Sequence, residues 1–128
     1  MRKIAAIAAG IAIVGTVGIS GPAFAGTYDG KCNDSEMCAY NGANFSGDIF
    51  DRVGSLKNYS GYKFFHGGAP IDNQFSSVKN TANTYKLCLY TKANYRGKSI
   101  CVGSNKSRKS LGAQYNNTAS SSRFIHTG

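Results

Sequence analysis

Residues 87–97 read Leu87-Cys88-Leu89-Tyr90-Thr91-Lys92-Ala93-Asn94-Tyr95-Arg96-Gly97. An imperfect copy of this stretch lies 50 positions earlier, Met37-Cys38-Ala39-Tyr40-Asn41-Gly42-Ala43-Asn44-Phe45-Ser46-Gly47. Cys, Tyr, Ala, Asn and Gly recur at equivalent places in the two stretches. A second pair follows in the same order at an offset of 44, Asp72-Asn73-Gln74-Phe75-Ser76-Ser77 and Asn116-Asn117-Thr118-Ala119-Ser120-Ser121. Two signals that recur in the same order indicate a duplicated structural unit.

The first 25 residues have the pattern of a secretory signal peptide. A basic start is followed by an apolar run from Ile4 to Ile19, and Ala23 and Ala25 supply small residues at the cleavage site. A membrane anchor is the alternative, but the apolar run is short for a bilayer span of about 20 residues. We therefore expect a secreted, extracellular protein without stable membrane insertion, whose mature chain is a single domain of residues 26–128.

The chain is strongly basic, with 15 Lys and Arg against 6 Asp and Glu and a formal net charge of +9. Loss of Arg2 and Lys3 with the signal peptide lowers this charge to +7. A basic secreted domain is attracted to anionic surfaces and acidic proteins, although the charge also serves solubility. The basic residues are scattered apart from Lys106, Arg108 and Lys109, so no groove for specific nucleic-acid binding is predicted.

Four cysteines in a small exported domain indicate two disulfides, with three possible pairings. If Asn94-Tyr95 forms the tip of a hairpin, positions that sum to 189 face each other, and Cys88 lies opposite Cys101. In the first copy Asp51 takes the place of Cys101, so the other bridge is expected between the two cysteines at the start of that copy. The predicted bridges are Cys32–Cys38 and Cys88–Cys101.

The composition favours short strands joined by tight turns, because glycine is frequent and 15 residues are Tyr or Phe. No long stretch after Ala25 has a sustained helical period, so the fold class is predicted to be all-β. The predicted strands are residues 37–40, 48–53, 63–65, 76–79, 86–90, 98–102 and 121–125. Residues 56–61 and 107–115 are predicted to be connections.

Each half of the chain resembles a βγ-crystallin Greek key. Tyr40–Gly47 and Tyr90–Gly97 both have the form Tyr-x-x-Ala-Asn-Phe/Tyr-x-Gly, and each half ends in a Ser-rich stretch. With the signal peptide and the Cys-x5-Cys-x-Tyr that begins at Cys32, the chain is similar to the secreted crystallin-like peptidase inhibitors of actinobacteria, the streptomycete metalloproteinase-inhibitor type. The resemblance implies a disulfide-stabilised β-sandwich of two Greek-key motifs, with key one at about residues 32–80 and key two at about 86–125.

The second pair of repeated stretches matches the βγ-crystallin calcium signature, (Asn/Asp)-(Asn/Asp)-x-x-(Ser/Thr)-Ser. The resemblance implies weak Ca²⁺ binding at two sites that exchange ligands between the keys. The candidate ligands are Asp72, Asn73, Ser76, Asn116, Asn117 and Ser120. Calcium takes six to eight oxygen ligands, which such side chains supply together with backbone carbonyls. The alternative is that these residues only cap turns and bind the local backbone.

No catalytic set is evident in the sequence, because the acids are scattered and His66 and His126 lie 60 positions apart. We therefore expect a binding protein rather than an enzyme. The resemblance implies a monomeric inhibitor of a secreted peptidase, with metallopeptidases first. The alternative is a calcium-binding extracellular module with a surface-binding or cationic antimicrobial role.

The first copy carries about six extra residues, because the offset between the copies falls from 50 to 44. We place them within residues 59–68. Loops tolerate such insertions and carry binding sites, so this segment is a candidate contact loop. Its aromatic residues Tyr62, Phe64 and Phe65 are equally compatible with a place in the core, and the sequence does not identify the inhibitory residues.

Overall fold

The computed structural model describes residues 28–127, so the expected signal peptide and its cleavage point lie outside the described residues. The strands in this range are β1 (Met37–Gly42), β2 (Ser46–Arg52), β3 (Ser77–Asn80), β4 (Tyr85–Lys92), β5 (Arg96–Val102), β6 (Ser107–Arg108) and β7 (Ser121–His126). Between residues 28 and 127 there is no helix of the length and apolarity that crossing a membrane requires.

The strands form two antiparallel sheets, ordered β2-β1-β3-β6 and β5-β4-β7. Each sheet takes an edge element from the other half of the chain. Strand β6 follows the second hairpin but pairs with β3, and Leu56 of the first half exchanges two backbone hydrogen bonds with Ser122 of β7, of 2.8 and 3.0 Å. The all-β fold class is confirmed, and the two repeated units complete each other's sheets.

The hairpin of β4 and β5 has the register that the sequence predicts. Its facing pairs include Leu87–Val102, Cys88–Cys101 and Leu89–Ile100. The chain contains the Cys88–Cys101 bridge and also the Cys32–Cys38 bridge, whose Cα atoms are 4.0 and 5.6 Å apart. Because successive side chains of a strand point to opposite faces, the apolar pairs face the core and the Cys88–Cys101 bridge lies on the other face.

The tip of each hairpin folds back through two successive residues with left-handed backbone. Asn94 and Tyr95 both have φ of +61°. The hydroxyl of Ser121 accepts a hydrogen bond from the Tyr95 amide (3.1 Å) and donates one to a carbonyl of β4 (2.6 Å). Ser77 makes the same two contacts with the first hairpin. A Cβ atom at Gly97 would overlap a threonine hydroxyl of β4, so the fold-back requires glycine there.

The main apolar core combines inward-facing strand residues with side chains from the connections. Met37, Ala39, Leu87, Leu89 and Val102 are buried in it, and Ile100 packs against its edge. The connections supply most of its large aromatic residues. Phe75 lies near its centre, with ring centroids 5.2 Å from Tyr59 and 5.8 Å from Phe64. The predicted connection at residues 56–61 is therefore fixed in place by the core, through Tyr59.

Two predicted elements differ from the structure. Residues 63–65 are not a strand, because their only ladder contact is a single bridge between Lys63 and Pro70. Residues 107–108, predicted as part of a connection, form β6. Two residues are too few for an alternating pattern, and this strand depends on its partner β3, which is distant in the sequence.

Candidate functional site

The extra residues of the first copy belong to a small folded hairpin, residues 59–71, which we call the aromatic loop. Tyr59, Phe64 and Ile71 are almost completely buried and fix the loop in the core. The Phe64 amide donates to the Ala69 carbonyl (2.8 Å), and the Ile71 amide donates to the Tyr62 carbonyl (3.1 Å). The loop therefore has its own backbone pairing and three buried anchors.

One carboxylate of β2 holds the tip of the aromatic loop. Asp48 Oδ1 accepts from the His66 amide (2.9 Å) and contacts His66 Nδ1 (2.9 Å), and Oδ2 accepts from the Gly67 amide (2.5 Å). Burial opposes ionisation of Asp48, but these hydrogen bonds outweigh it and lower the pKa of the side chain to about 2. The stabilisation from this carboxylate is therefore fully present above about pH 4 and is lost as the pH falls toward 2.

Two aromatic side chains of the loop face solvent. Tyr62 is 39% exposed and Phe65 is 38% exposed. The Phe65 ring packs edge-on against Tyr28 (centroids 5.3 Å apart), and the Arg52 guanidinium lies 5.6 Å from the centre of the Tyr62 ring. An open cavity of about 330 Å³ lies between Tyr28, Arg52 and Tyr62. Both exposed rings thus have neighbours that limit their motion before any partner binds.

The repeated polar stretches of the two copies meet in space. Ser120 Oγ donates to Asn73 Oδ1 (3.2 Å), and Ser76 Oγ donates to Asn117 Oδ1 (3.4 Å). The backbone amide of each asparagine also donates to a carbonyl of the opposite copy, at 2.9 Å in both cases. Two equivalent clusters result, which we call the paired polar clusters, and each combines an asparagine of one copy with a serine of the other.

The two clusters differ at the residue that precedes the asparagine. Asp72 Oδ1 is buried and has no hydrogen-bond partner, whereas Asn116 is exposed. A carboxylate oxygen without a partner, next in sequence to Asn73, fits the oxygen ligands that calcium prefers. The residues present are therefore compatible with a calcium ion, with more negative charge at the Asp72 cluster than at its counterpart.

Sequence reasoning identified the aromatic loop but not the residue that holds it. Asp48 is 18 positions from His66, and nothing in the local pattern of β2 distinguishes it from other acids. The available signal is the run His66-Gly67-Gly68, which leaves successive backbone amides free to donate to an acceptor on a neighbouring strand. The interpretation of Phe64 as a core residue is confirmed, while Tyr62 and Phe65 are at the surface.

Comparison with known proteins gives a family and a fold. A family model described as peptidase inhibitor family I36 matches residues 25–102, and no curated protein matches the chain.

A structure solved in work on the evolution of the eye-lens βγ-crystallin domain fold is 20% identical, covers 78% of this chain and 94% of that chain, and has a TM-score of 0.63. An archaeal βγ-crystallin is 23% identical, with coverage of 73% and 100% and a TM-score of 0.56. The N-terminal domain of Protein S is 25% identical, with coverage of 71% and 96% and a TM-score of 0.57.

These structural neighbours share the overall fold of this chain. The family match spans more than half of the sequence and includes the aromatic loop and both disulfides. The chain therefore belongs to peptidase inhibitor family I36 and has the βγ-crystallin fold.

Proposed function

We propose that the mature chain is a secreted, monomeric inhibitor that binds a peptidase through the aromatic loop, and that metallopeptidases are its first target class. The observation that supports this contact surface is the presence of two exposed aromatic rings on a loop whose tip is held by Asp48. The family supports peptidase inhibition. The resemblance of the chain to the metalloproteinase-inhibitor type supports the target class.

The aromatic loop has the physical properties that an inhibitory contact needs. Binding loses less conformational entropy when the contact residues are already ordered. Tyr and other large aromatic residues are frequent among the side chains that contribute most to protein interfaces. Tyr62 and Phe65 meet both conditions, because buried anchors and the Asp48 carboxylate fix the backbone on either side of them. The basic charge of the mature chain also favours rapid association with an acidic peptidase.

The test is titration of a panel of secreted metallo- and serine peptidases with the purified 26–128 form. We expect stoichiometric or competitive inhibition of at least one metalloendopeptidase at micromolar protein or below, and weaker inhibition of the serine peptidases. Analytical ultracentrifugation of the complex should give one inhibitor per peptidase. Inhibition confined to serine peptidases would contradict the target class, and no inhibition by correctly folded protein would contradict the proposed function.

Calcium binding is the second candidate function, and the paired polar clusters support it. Each cluster brings an asparagine oxygen and a serine oxygen together, and Asp72 adds a buried carboxylate oxygen without a partner. Calcium bound here would join the two copies of the repeat, because the ligands come from both. This function is compatible with inhibition, since the clusters and the aromatic loop use different residues.

Addition of millimolar Ca²⁺ to metal-free protein is expected to raise the melting temperature, because an ion that binds only the folded state stabilises it. The double change Asp72→Ala and Ser120→Ala should reduce this increase by most of its size, as it removes one ligand from each side of the same cluster. Differential scanning calorimetry with and without chelator measures the effect. An equal increase in the double variant would exclude the Asp72 cluster as a calcium site.

A further inference from the structure

Three acidic side chains, none of which belongs to the paired polar clusters, converge near the start of the described chain. Asp29 precedes β1, Glu36 lies directly before β1, and Asp51 is on β2, opposite Cys38. One carboxylate oxygen from each of the three lies within 4.8 Å of the other two. We call this group the acidic triad. Proximity of acids alone does not make a binding site. Two further properties of the triad matter: the hydrogen bonds that orient its carboxylates, and the group that balances their negative charge.

Backbone and side-chain amides orient all three carboxylates. Asp51 Oδ1 accepts from the Gly30 amide (3.0 Å) and Oδ2 from the Asp29 amide (2.8 Å). Glu36 Oε1 accepts from the Asn33 amide (2.7 Å), and both Asp29 oxygens accept from the Asn33 side chain at 3.1–3.3 Å. The carboxylates are therefore held in fixed positions by a surrounding layer of donors, as ligands of a metal site usually are.

The negative charge of the triad has no cationic partner among the described residues. Between residues 28 and 127 the recorded ion pair is Asp48 with His66, and it does not involve the triad. Glu36 is completely buried, and its Oε2 atom has no hydrogen-bond partner. Burial and the nearby charges of Asp51 and Asp29 raise the pKa of Glu36 to about 7. A buried carboxylate oxygen without a donor is costly unless a cation or proton is bound.

We propose that Asp29, Glu36 and Asp51 bind one hard divalent cation of the Ca²⁺ class. Carboxylate oxygens are ligands that hard cations such as Ca²⁺ prefer, and two oxygens on one calcium ion are separated by at most about 5.2 Å. The triad oxygens lie within 4.8 Å of one another, so all three can bind a single ion. Glu36 Oε2 supplies the ligand atom that lacks a partner, and water and backbone carbonyls complete the shell.

A bound cation would join three parts of the chain that are otherwise linked by hydrogen bonds and one disulfide. Asp29 belongs to the segment that leads to Cys32, Glu36 lies between Cys32 and Cys38, and Asp51 is on the second strand. The site is distinct from the paired polar clusters, which use none of these residues. The two sites therefore respond to different substitutions.

The test uses metal-free 26–128 protein labelled with ¹⁵N and titrated with Mn²⁺, a paramagnetic substitute for Ca²⁺. We expect substoichiometric Mn²⁺ to broaden the amide signals of Gly30 and Asn33 selectively, and excess Ca²⁺ to restore them. Glu36→Gln should weaken this binding at least tenfold, while the double change Asp72→Ala and Ser120→Ala should leave it unchanged. Glutamine keeps the side-chain volume and the acceptor for the Asn33 amide, so we expect the variant to fold.

If Glu36→Gln does not fold, a second variant, Asp29→Asn, takes its place in the same experiment. The Asp29 side chain is not part of the apolar core, so its substitution should not disturb folding. Three outcomes would overturn the proposal. These are broadening confined to Asn73 and Asn117, equal broadening in the Glu36→Gln variant, and no selective broadening at millimolar Mn²⁺. The last would leave a bound proton as the charge that balances the triad.

Discussion

Replacement of both Tyr62 and Phe65 by serine is expected to weaken inhibition of the target peptidase at least about 100-fold, because interface anchors of this kind commonly contribute about 2 kcal/mol or more each. Both rings are more than a third exposed in the free chain, so their loss removes little core packing. The measurement is the inhibition constant for hydrolysis of a peptide substrate, together with the melting temperature. The melting temperature should change by only a few degrees, on the order of the effect of a surface substitution.

Tyr85→Ser is the matched control for this experiment. Tyr85 is 41% exposed, but it lies at the start of β4 and packs against His126 and Phe124 rather than against the aromatic loop. Its replacement should leave the inhibition constant within about twofold of the parent, as expected for a residue outside the contact surface. An unchanged constant in the loop variant, or an equal loss in the control, would exclude the aromatic loop as the contact surface.

Substitution is more informative than deletion at this loop. Tyr59 and Phe64 are 0% and 1% exposed and pack around Phe75 in the core. Removal of a buried aromatic side chain typically costs about 3–5 kcal/mol, which is a large part of the stability of a small domain. Deletion of residues 59–68 would therefore unfold the protein and remove the contact surface together, so the two effects would be inseparable.

The sequence predicted the hairpins and the bridges because both depend on nearby residues. Strand β4 has leucines at alternate positions, 87 and 89, and the tip at Asn94 and Tyr95 fixes which positions face each other. Once that register is set, Cys88 and Cys101 have to meet. Cys38 has Asp51 opposite it, which leaves Cys32 as its partner. Periodicity and turn chemistry were sufficient for this part of the fold.

The exchange of edge elements was not predictable from periodicity. Strand β6 is two residues long, and Leu56 contributes a single bridge to the second sheet. Both contacts join parts of the chain that are far apart in sequence, so no local pattern identifies the partner. The prediction of a strand at residues 63–65 failed for a related reason. Of its two aromatic residues, Phe64 is buried and anchors a loop in the core, whereas Phe65 lies at the surface.

The candidate sites were predictable only in part, because the repeated polar stretches combine two roles. Their last serines, Ser77 and Ser121, hold the folded hairpins through their hydroxyl groups, by contacts between residues that are 26–35 positions apart rather than within a local turn. The preceding serines contact the asparagines of the opposite copy instead. The residue types alone do not distinguish these roles, because a serine hydroxyl can bind either a backbone group or a metal ion. The acidic triad is likewise assembled from positions 29, 36 and 51, whose proximity depends on the first disulfide and the first hairpin.

Asn80 at the end of β3 joins the two sheets through one buried amide group. Its side chain is 1% exposed. Nδ2 lies 2.9 Å from the Tyr85 carbonyl and 3.1 Å from the carbonyls of Val102 and Gly103, and Oδ1 accepts from the Ala82 amide (2.9 Å). One residue thus satisfies backbone groups from β4, β5 and the segment that links the two copies. No hydrophobic side chain of similar size can replace these contacts.

Asn80→Ala is expected to lower the free energy of unfolding by about 3 kcal/mol, because several buried backbone groups lose their partner at once. For a domain of this length, such a loss lowers the melting temperature by on the order of 10–20 °C.

Asn80→Asp keeps the side-chain shape but turns the donor into an acceptor that faces three carbonyls, so it should be more damaging than alanine at neutral pH. Asn83→Ala is the control, since Asn83 is exposed and its side chain accepts a hydrogen bond at the exposed side of the molecule, from Asn105 Nδ2 (2.8 Å), so its effect should stay within about 0.5 kcal/mol. Urea unfolding of the three variants gives these values directly. Equal stability of the Asn80→Ala and Asn83→Ala proteins would show that water replaces the buried amide.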